Sequence, residues 1–293
     1  MNILFAVVCV VLFSLTVPAT RVAALTLDPS DIAAFRLLGA GAVCALCVAF
    51  YDRWFPPRKI WFHLFAVAFG SVWGFSFLIA LAMKQVPSTH GAIAMAATPA
   101  LTAVYSSLRD QCPQSFRFWL FCLIGTASTF SYFFTTSSGT LSSADLLLVG
   151  VVVASTFGYV EGARLSRQYG GRRIMSWAVI LALPLAIVLT LPSVHFENLP
   201  GFWDTPKTWA AVAYLATVSQ SLGMFLWYRV LAIGPIGKIA MVQLLQPFLS
   251  LAATLAMLGE QISVSAWVTS GIVVLCIFGA NNERQTPVKV DSH

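Results

Sequence analysis

Two glutamines lie three residues apart in an otherwise apolar stretch of the chain. Gln243 and Gln246 come just before Pro247, in the sequence MVQLLQPFLSL. Residues three apart share one face of a helix, and each side-chain amide both donates and accepts hydrogen bonds. We therefore predict that this face binds a polar group of a small molecule. The alternative is that the two amides only join neighbouring helices.

The other candidates for a binding surface lie in further apolar stretches. They comprise one hydroxyl, one amide, two thioethers and three aromatic side chains. Thioethers and aromatic rings form an adaptable apolar surface. Together with the two glutamines, they predict a neutral cavity for a small-molecule substrate. The candidates are Trp73, Met95, Thr98, Tyr159, Gln220, Met224 and Trp227.

Charged groups are expected away from the centre of these stretches. The sequence predicts no lysine or arginine near mid-depth, which argues against phosphorylated cargo because no cation would bind the phosphate. Glu161 lies near the end of its stretch, about one turn before Arg164. It either pairs with Arg164 or carries protons for coupled transport. His90 is expected at the opposite surface of the molecule.

Patterns typical of enzymes are missing from the sequence. There is no H-E-x-x-H or G-x-S-x-G pattern, so we predict no catalytic residues. Cys44 and Cys47 have C-x-x-C spacing, but no second pair or nearby histidine accompanies them, and packing explains them better. We therefore expect no metal and no cofactor. A membrane-embedded enzyme and a channel remain the alternatives to a carrier, although no channel filter motif is visible.

The composition places these stretches in a lipid bilayer. The 293 residues are 58% hydrophobic and only 10% charged, with a mean hydropathy of +0.82, whereas soluble chains carry about 25% charged residues. The first stretch lacks the basic start of a signal peptide, so we predict a retained span. We predict ten transmembrane helices, numbered in chain order, at about 3–23, 32–50, 60–83, 88–107, 116–135, 143–163, 174–191, 207–231, 236–257 and 264–281.

Basic residues predict the orientation of the ten spans. With the amino terminus inside, thirteen of the 17 lysines and arginines fall on the cytoplasmic side. The other side receives four: Arg21, Arg36, Lys84 and Lys207. This bias predicts that both termini are cytoplasmic. The basic residues are scattered along loops, so we expect no nucleic-acid partner.

The chain contains an internal repeat. A shift of 148 residues places Pro235 on Pro87 and Pro247 on Pro99, so that spans four and nine match without a gap. The predicted units are residues 1–140 and 141–282, followed by a cytoplasmic tail at 283–293. Each unit has five spans, an odd number, so the second is inverted in the membrane. Inverted repeats are typical of secondary transporters; a purely structural duplication is the alternative.

Pro99 and Pro247 are predicted at the centres of their spans. A proline inside a helix frees the carbonyl four residues earlier, here that of Met95 or Gln243. Such carbonyls can bind a ligand or let the helix bend as a gate opens. We predict a hinge at each proline; a static kink is the alternative.

Several stretches resemble the ten-helix EamA-type branch of the drug/metabolite transporter superfamily. They are FSLTVPATRVAA, DIAAFRLLGAG with Arg36 at a recurrent arginine, FLIALAMKQVPSTHGAIAMAATPALTAV, and LGEQISVSAWVTSGIVVLCIFG with Glu260. The resemblance implies an all-α membrane protein of two inverted five-helix repeats. Spans one, three, four, six, eight and nine would enclose its central cavity. The chain looks most like bacterial exporters of aromatic amino acids, which implies an inner-membrane carrier. A monomer is the expected assembly.

Overall fold

Helices make up all the regular structure of the residues that the computed structural model describes. These are residues 2–52, 55–95, 97–109, 115–136, 142–189, 199–233, 241–259 and 261–282, with 192, 194 and 197. Every predicted span overlaps a helix or a pair of helical segments. Pro235, Glu260 and the predicted tail at 283–293 lie outside the described residues.

The helices have the following bounds. In the first half they are Asn2–Ser14, Thr16–Ala24, Pro29–Cys47, Trp61–Val67, Phe75–Gln85, Ser88–Met95, Thr98–Arg109 and Phe116–Thr136. In the second half they are Ser143–Tyr169, Gly171–Leu189, Pro206–Ala213, Met224–Ile233, Gln246–Leu258 and Val264–Asn282. Wider π-helical turns occupy Val48–Asp52, Ala68–Gly74 and Tyr214–Gly223, and 3₁₀ turns occupy Arg58–Ile60 and Met241–Leu245. Within the described ranges, seven helical stretches are long and apolar enough to cross a membrane.

Short polar signals set where the spans begin and end. Ser142 and Asp145 form a capping box before the sixth span, in which each side chain binds the other residue's backbone N–H. Asp28 and Asp31 do the same before the second span. These contacts satisfy backbone donors that the first helical turn leaves free. The ninth span ends at Gly259, whose φ of +62° favours glycine.

Spans four and nine are interrupted at equivalent positions. The second segment of span four begins at Thr98, and that of span nine begins at Gln246, which is 148 residues later. The prediction of a proline in the helix interior is therefore wrong. Pro99 and Pro247 each occupy the first turn of a new segment, where proline removes no intrahelical hydrogen bond.

Spans three and eight share a second irregularity. The same shift of 148 residues moves the π-helical turn at Ala68–Gly74 inside the one at Tyr214–Gly223. A π-helical turn inserts extra residues into a helix and is frequent at functional sites. The repeat is therefore visible in backbone conformation as well as in sequence.

The first helix of each half packs against helices of the other half. Span one packs against spans eight and nine of the second half, and span six packs against spans three and four of the first half. Spans two and seven pair on the outside of this group, and spans five and ten form another outer pair. Six helices thus surround the centre of the molecule.

Spans three and six approach each other closely at glycine positions. A β-carbon on Gly70 would lie 2.6 Å from the Ala154 carbonyl oxygen and 3.1 Å from the Gly158 nitrogen. Glycines four residues apart, here Gly70 and Gly74 in span three and Gly158 and Gly162 in span six, predict close helix packing, and the contacts at Gly70 and Gly158 agree with it. Tyr228 also reaches this crossing, and its hydroxyl donates to the Gly158 carbonyl at 2.9 Å.

Candidate substrate cavity

A cavity lies where the two halves meet. The space between its wall atoms amounts to about 410 Å³, including solvent at its opening. Spans one, three, four, six, eight and nine contribute to its wall, as the resemblance implies, and span two contributes Arg36. The lining residues are Phe13, Thr16, Val17, Arg36, Ser71, Phe75, Met95, Ser155, Tyr159, Ser219, Gln220, Met224 and Gln246.

Five of the nine predicted binding residues line this cavity. They are Met95, Tyr159, Gln220, Met224 and Gln246. The structure thus brings together residues that are up to 151 positions apart in the chain. Their contact with a substrate stays a prediction.

Two further predicted residues lie behind the lining. Trp227 is fully buried, and its ring meets Phe13 and Tyr159 edge-on, with centroids 6.0 and 6.2 Å apart. Thr98 is also buried, and its hydroxyl lies 3.9 Å from the Met95 sulfur. Both residues support side chains that do line the cavity.

Trp73 and Gln243 lie outside the cavity lining. The Trp73 ring stacks on Phe77 at 5.3 Å and lies near Phe69, which is exposed on the bundle surface. Trp73 belongs to a π-helical turn, which rotates the residues after it relative to an ordinary α-helix. Gln243 is buried in the 3₁₀ turn, whereas Gln246 starts the next helix. Residues three apart share one side of a 3₁₀ turn as well, so the shared face of the two glutamines stays a prediction, and Gln246 is the one of the two that lines the cavity.

The prediction of a neutral cavity is also wrong, because Arg36 is part of the wall. Arg36 is only 2% exposed. Its Nε and Nη2 atoms donate to Gln220 Oε1 at 3.1 and 2.8 Å, and its Cζ lies 5.1 Å from the centroid of the Phe75 ring. The helix begins at Pro29, which places Arg36 two turns inside it. The argument against phosphorylated cargo therefore loses its basis.

The hydroxyls of Ser219 and Thr16 form a polar pair next to Arg36. Ser219 Oγ lies 3.5 Å from Arg36 Nη2 and 2.8 Å from Thr16 Oγ1. Ser219 and Gln220 both belong to the π-helical turn of span eight. Gln220 was the sequence signal for this cluster around Arg36. An amide near the centre of one span requires a hydrogen-bond partner, which another span has to supply.

Glu161 has partners other than the one predicted. It is 5% exposed, and its carboxylate lies 2.9 Å from His63 Nδ1, 3.3 Å from Arg109 Nε and 3.2 Å from the Tyr105 hydroxyl. These partners belong to spans three and four. They join the first half to span six at one end of the bundle.

His90 is buried between helices in the first turn of span four. It is 8% exposed, packs edge-on against Tyr132 with ring centroids 5.7 Å apart, and has Nδ1 at 3.9 Å from Asp145 Oδ1. Span six covers it, because the Asp145 capping box brings the start of that span against span four. The position of His90 near the outer membrane surface stays a prediction.

Comparison with known proteins places this arrangement in a family. The sequence profile of the EamA-like transporter family matches the chain twice, over residues 1–134 and 142–282. The chain belongs to the EamA-like transporter family. The uncharacterized transporter YdeK of Bacillus subtilis (strain 168) is 31% identical to this chain over 279 residues, which cover 92% of this chain and 93% of YdeK.

The fold also has a counterpart among solved structures. One crystal structure superposes on this EamA-like transporter with a TM-score of 0.68. The match covers 95% of this chain and 97% of the other at 17% sequence identity. Agreement at that identity supports the fold and nothing finer.

Proposed function

We propose that this EamA-like transporter is a secondary carrier that exports small amphipathic metabolites, aromatic amino acids first, across the bacterial inner membrane. The observation that carries the proposal is the cavity at the interface of two inverted repeats. Such interfaces are where secondary transporters bind their substrates. The excess of basic residues on one side supports cytoplasmic termini.

The composition of the cavity wall supports amphipathic cargo. Phe13, Phe75 and Met95 offer apolar surface to a side chain, and Gln220 and Gln246 offer amide groups to a polar end. A few polar groups in an apolar wall are typical of small-molecule sites. An aromatic amino acid combines the same two kinds of surface.

The interrupted helices support an alternating-access mechanism. Spans four and nine face each other across the repeat and break at equivalent positions, before Thr98 and Gln246. Rocking of one half against the other around the cavity would bend the chain at these two points. Pro99 and Pro247 start the segments that would move.

Glu161 is the candidate for proton coupling. A buried carboxylate inside a membrane bundle is often part of a proton pathway. The groups that face it are His63 from span three and Tyr105 and Arg109 from span four, and Arg164 follows on its own helix. The His63 side chain is 36% exposed, which gives protons a route from the surface.

Counterflow in proteoliposomes tests the carrier proposal. Vesicles loaded with unlabelled phenylalanine should take up labelled phenylalanine transiently above equilibrium, with saturation, and tryptophan should compete. Leucine and glucose serve as controls for apolar and uncharged solutes. Flux that is linear and shows no counterflow would indicate a channel, and failure of both aromatic amino acids to compete would reject the cargo.

The coupling proposal has a separate test. In wild-type vesicles a pH gradient should accelerate phenylalanine flux. Glu161→Gln should abolish this acceleration and keep counterflow, because exchange needs no net proton movement. Asp204→Asn, a substitution in an exposed loop, should keep both. Acceleration that survives in Glu161→Gln would rule out Glu161 as the coupling group.

A further inference from the structure

The cavity contains a buried positive charge without a negative partner. Arg36 contacts Gln220, Ser219 and the Phe75 ring, and all three are neutral. Among the residues that the structure describes, no carboxylate forms an ion pair with Arg36. A buried charge with only neutral partners remains costly. A negatively charged group bound in the cavity would offset that cost.

One end of the guanidinium lacks a hydrogen-bond partner in the described parts of the chain. Gln220 occupies Nε and Nη2, whereas Nη1 is buried and has no hydrogen-bond partner within the described parts of the chain. The Gln220 amide is itself anchored, since its Nε2 donates to the Ser71 carbonyl at 3.3 Å. The guanidinium is thus held in place with two N–H groups of Nη1 unused.

The rest of the wall indicates which kind of anion fits. Arg36 is the one cationic side chain among the described lining residues, so the wall supplies one positive charge. That charge matches a carboxylate better than a phosphate dianion. Phe13, Phe75 and Met95 surround the same space with apolar surface, which suits a carboxylate attached to an apolar group.

We infer that Arg36 Nη1 binds the carboxylate of the transported molecule, so that the substrates are carboxylic acids or amino acids and not neutral solutes. This inference rests on the proposed function, because it takes the cavity as the transport site. It goes beyond it by assigning the polar end of the cargo to one residue. Gln220 acts as a positioning residue that holds the guanidinium.

Direct binding tests the inference without requiring transport. Tryptophan fluorescence or thermal shift of the full-length protein is measured with 3-phenylpropanoate and with 3-phenylpropanamide, which has the same shape and no charge. The acid should bind at least about tenfold more tightly, as loss of a charge-assisted hydrogen bond predicts. Arg36→Gln should remove the difference. Arg21→Gln, a control arginine that donates to the Met83 carbonyl outside the cavity, should keep it.

Several results would overturn the assignment. They are equal binding of acid and amide to the wild type, a preference for the acid that survives in Arg36→Gln, or tighter binding of phenyl phosphate than of 3-phenylpropanoate. Competition by chloride as strong as that by the acid would indicate an inorganic anion site instead. Equal binding of acid and amide to the wild type would refute the assignment even if Arg36→Gln does not fold.

The outcomes also separate this inference from the proposed function. If phenylalanine shows counterflow but acid and amide bind equally, the carboxylate site is wrong and the carrier proposal stands. If the acid binds through Arg36 but no aromatic amino acid is carried, the cargo proposal is wrong and the carboxylate site stands.

Discussion

Arg36 and Glu161 are both nearly fully buried, yet the structure surrounds them in opposite ways. Glu161 faces a cation, a histidine and a hydroxyl, contributed by Arg109, His63 and Tyr105. Arg36 faces an amide, a hydroxyl and an aromatic ring. One charge is matched within the protein and the other is not. A matched charge holds helices together, whereas an unmatched charge is available to a ligand.

The positions of the two charges agree with this division. Arg36 lines the cavity at the interface of the two halves. Glu161 ties span six to spans three and four at one end of the bundle. The proposed binding residue and the proposed coupling residue thus lie in different parts of the molecule, and substitutions should affect one without the other unless they disturb the helices between them.

Gly158 lies between the two regions, and its replacement should have the largest effect. A β-carbon in Gly158→Ala would collide with the Ser71 hydroxyl and lie 2.6 Å from the Ser71 nitrogen. The Ser71 backbone cannot move aside as a flexible side chain can. We therefore expect the free energy of unfolding to fall by about 3 kcal/mol. Denaturant titration in mixed micelles measures it. Gly271→Ala, whose β-carbon would have nothing within 4 Å, should change it by less than about 0.5 kcal/mol. Equal stability of the two variants would contradict the close crossing of spans three and six.

Neutralising Glu161 should lower the free energy of unfolding more than neutralising Arg36. Glu161→Gln leaves Arg109 and His63 without their acid, and we expect a loss of about 1–2 kcal/mol, since both partners are partly exposed to solvent. Arg36→Gln removes an unmatched buried charge as well as its hydrogen bonds. These effects oppose each other, so stability should change by less than about 1 kcal/mol. The same titration compares them, and a larger loss for Arg36→Gln would show that Arg36 is matched after all.

Sequence patterns predicted the scaffold because the membrane restricts what a span can be. Apolar length indicated the helices that the structure contains, and the shift of 148 residues indicated their repeat. Glycine spacing likewise indicated the crossing at Gly70 and Gly158. These features are local or periodic, so a single sequence reveals them.

The cavity was harder to predict because it depends on helix rotation. Two π-helical turns and one 3₁₀ turn change the rotation of the residues around them, and two of the predicted residues that lie in such turns, Trp73 and Gln243, do not line the cavity. No spacing rule for a regular helix anticipates such turns. Arg36 was assigned to the outer side because it lies near a predicted span boundary, and boundaries are the least certain part of such a prediction.

Replacing both prolines should have the smallest effect on stability and a specific effect on rate. Pro99→Ala with Pro247→Ala keeps the first turn of each segment, so unfolding free energy should change by less than about 1 kcal/mol. Alanine, unlike proline, favours continuation of the helix across the breaks before Thr98 and Gln246. We therefore expect counterflow about threefold slower, equivalent to about 0.6 kcal/mol in the barrier, with substrate affinity unchanged. Pro184→Ala is the control, because Pro184 lies inside span seven, away from the cavity wall. Equal rates in the double variant, the control and the wild type would show that the breaks shape the cavity without moving during transport.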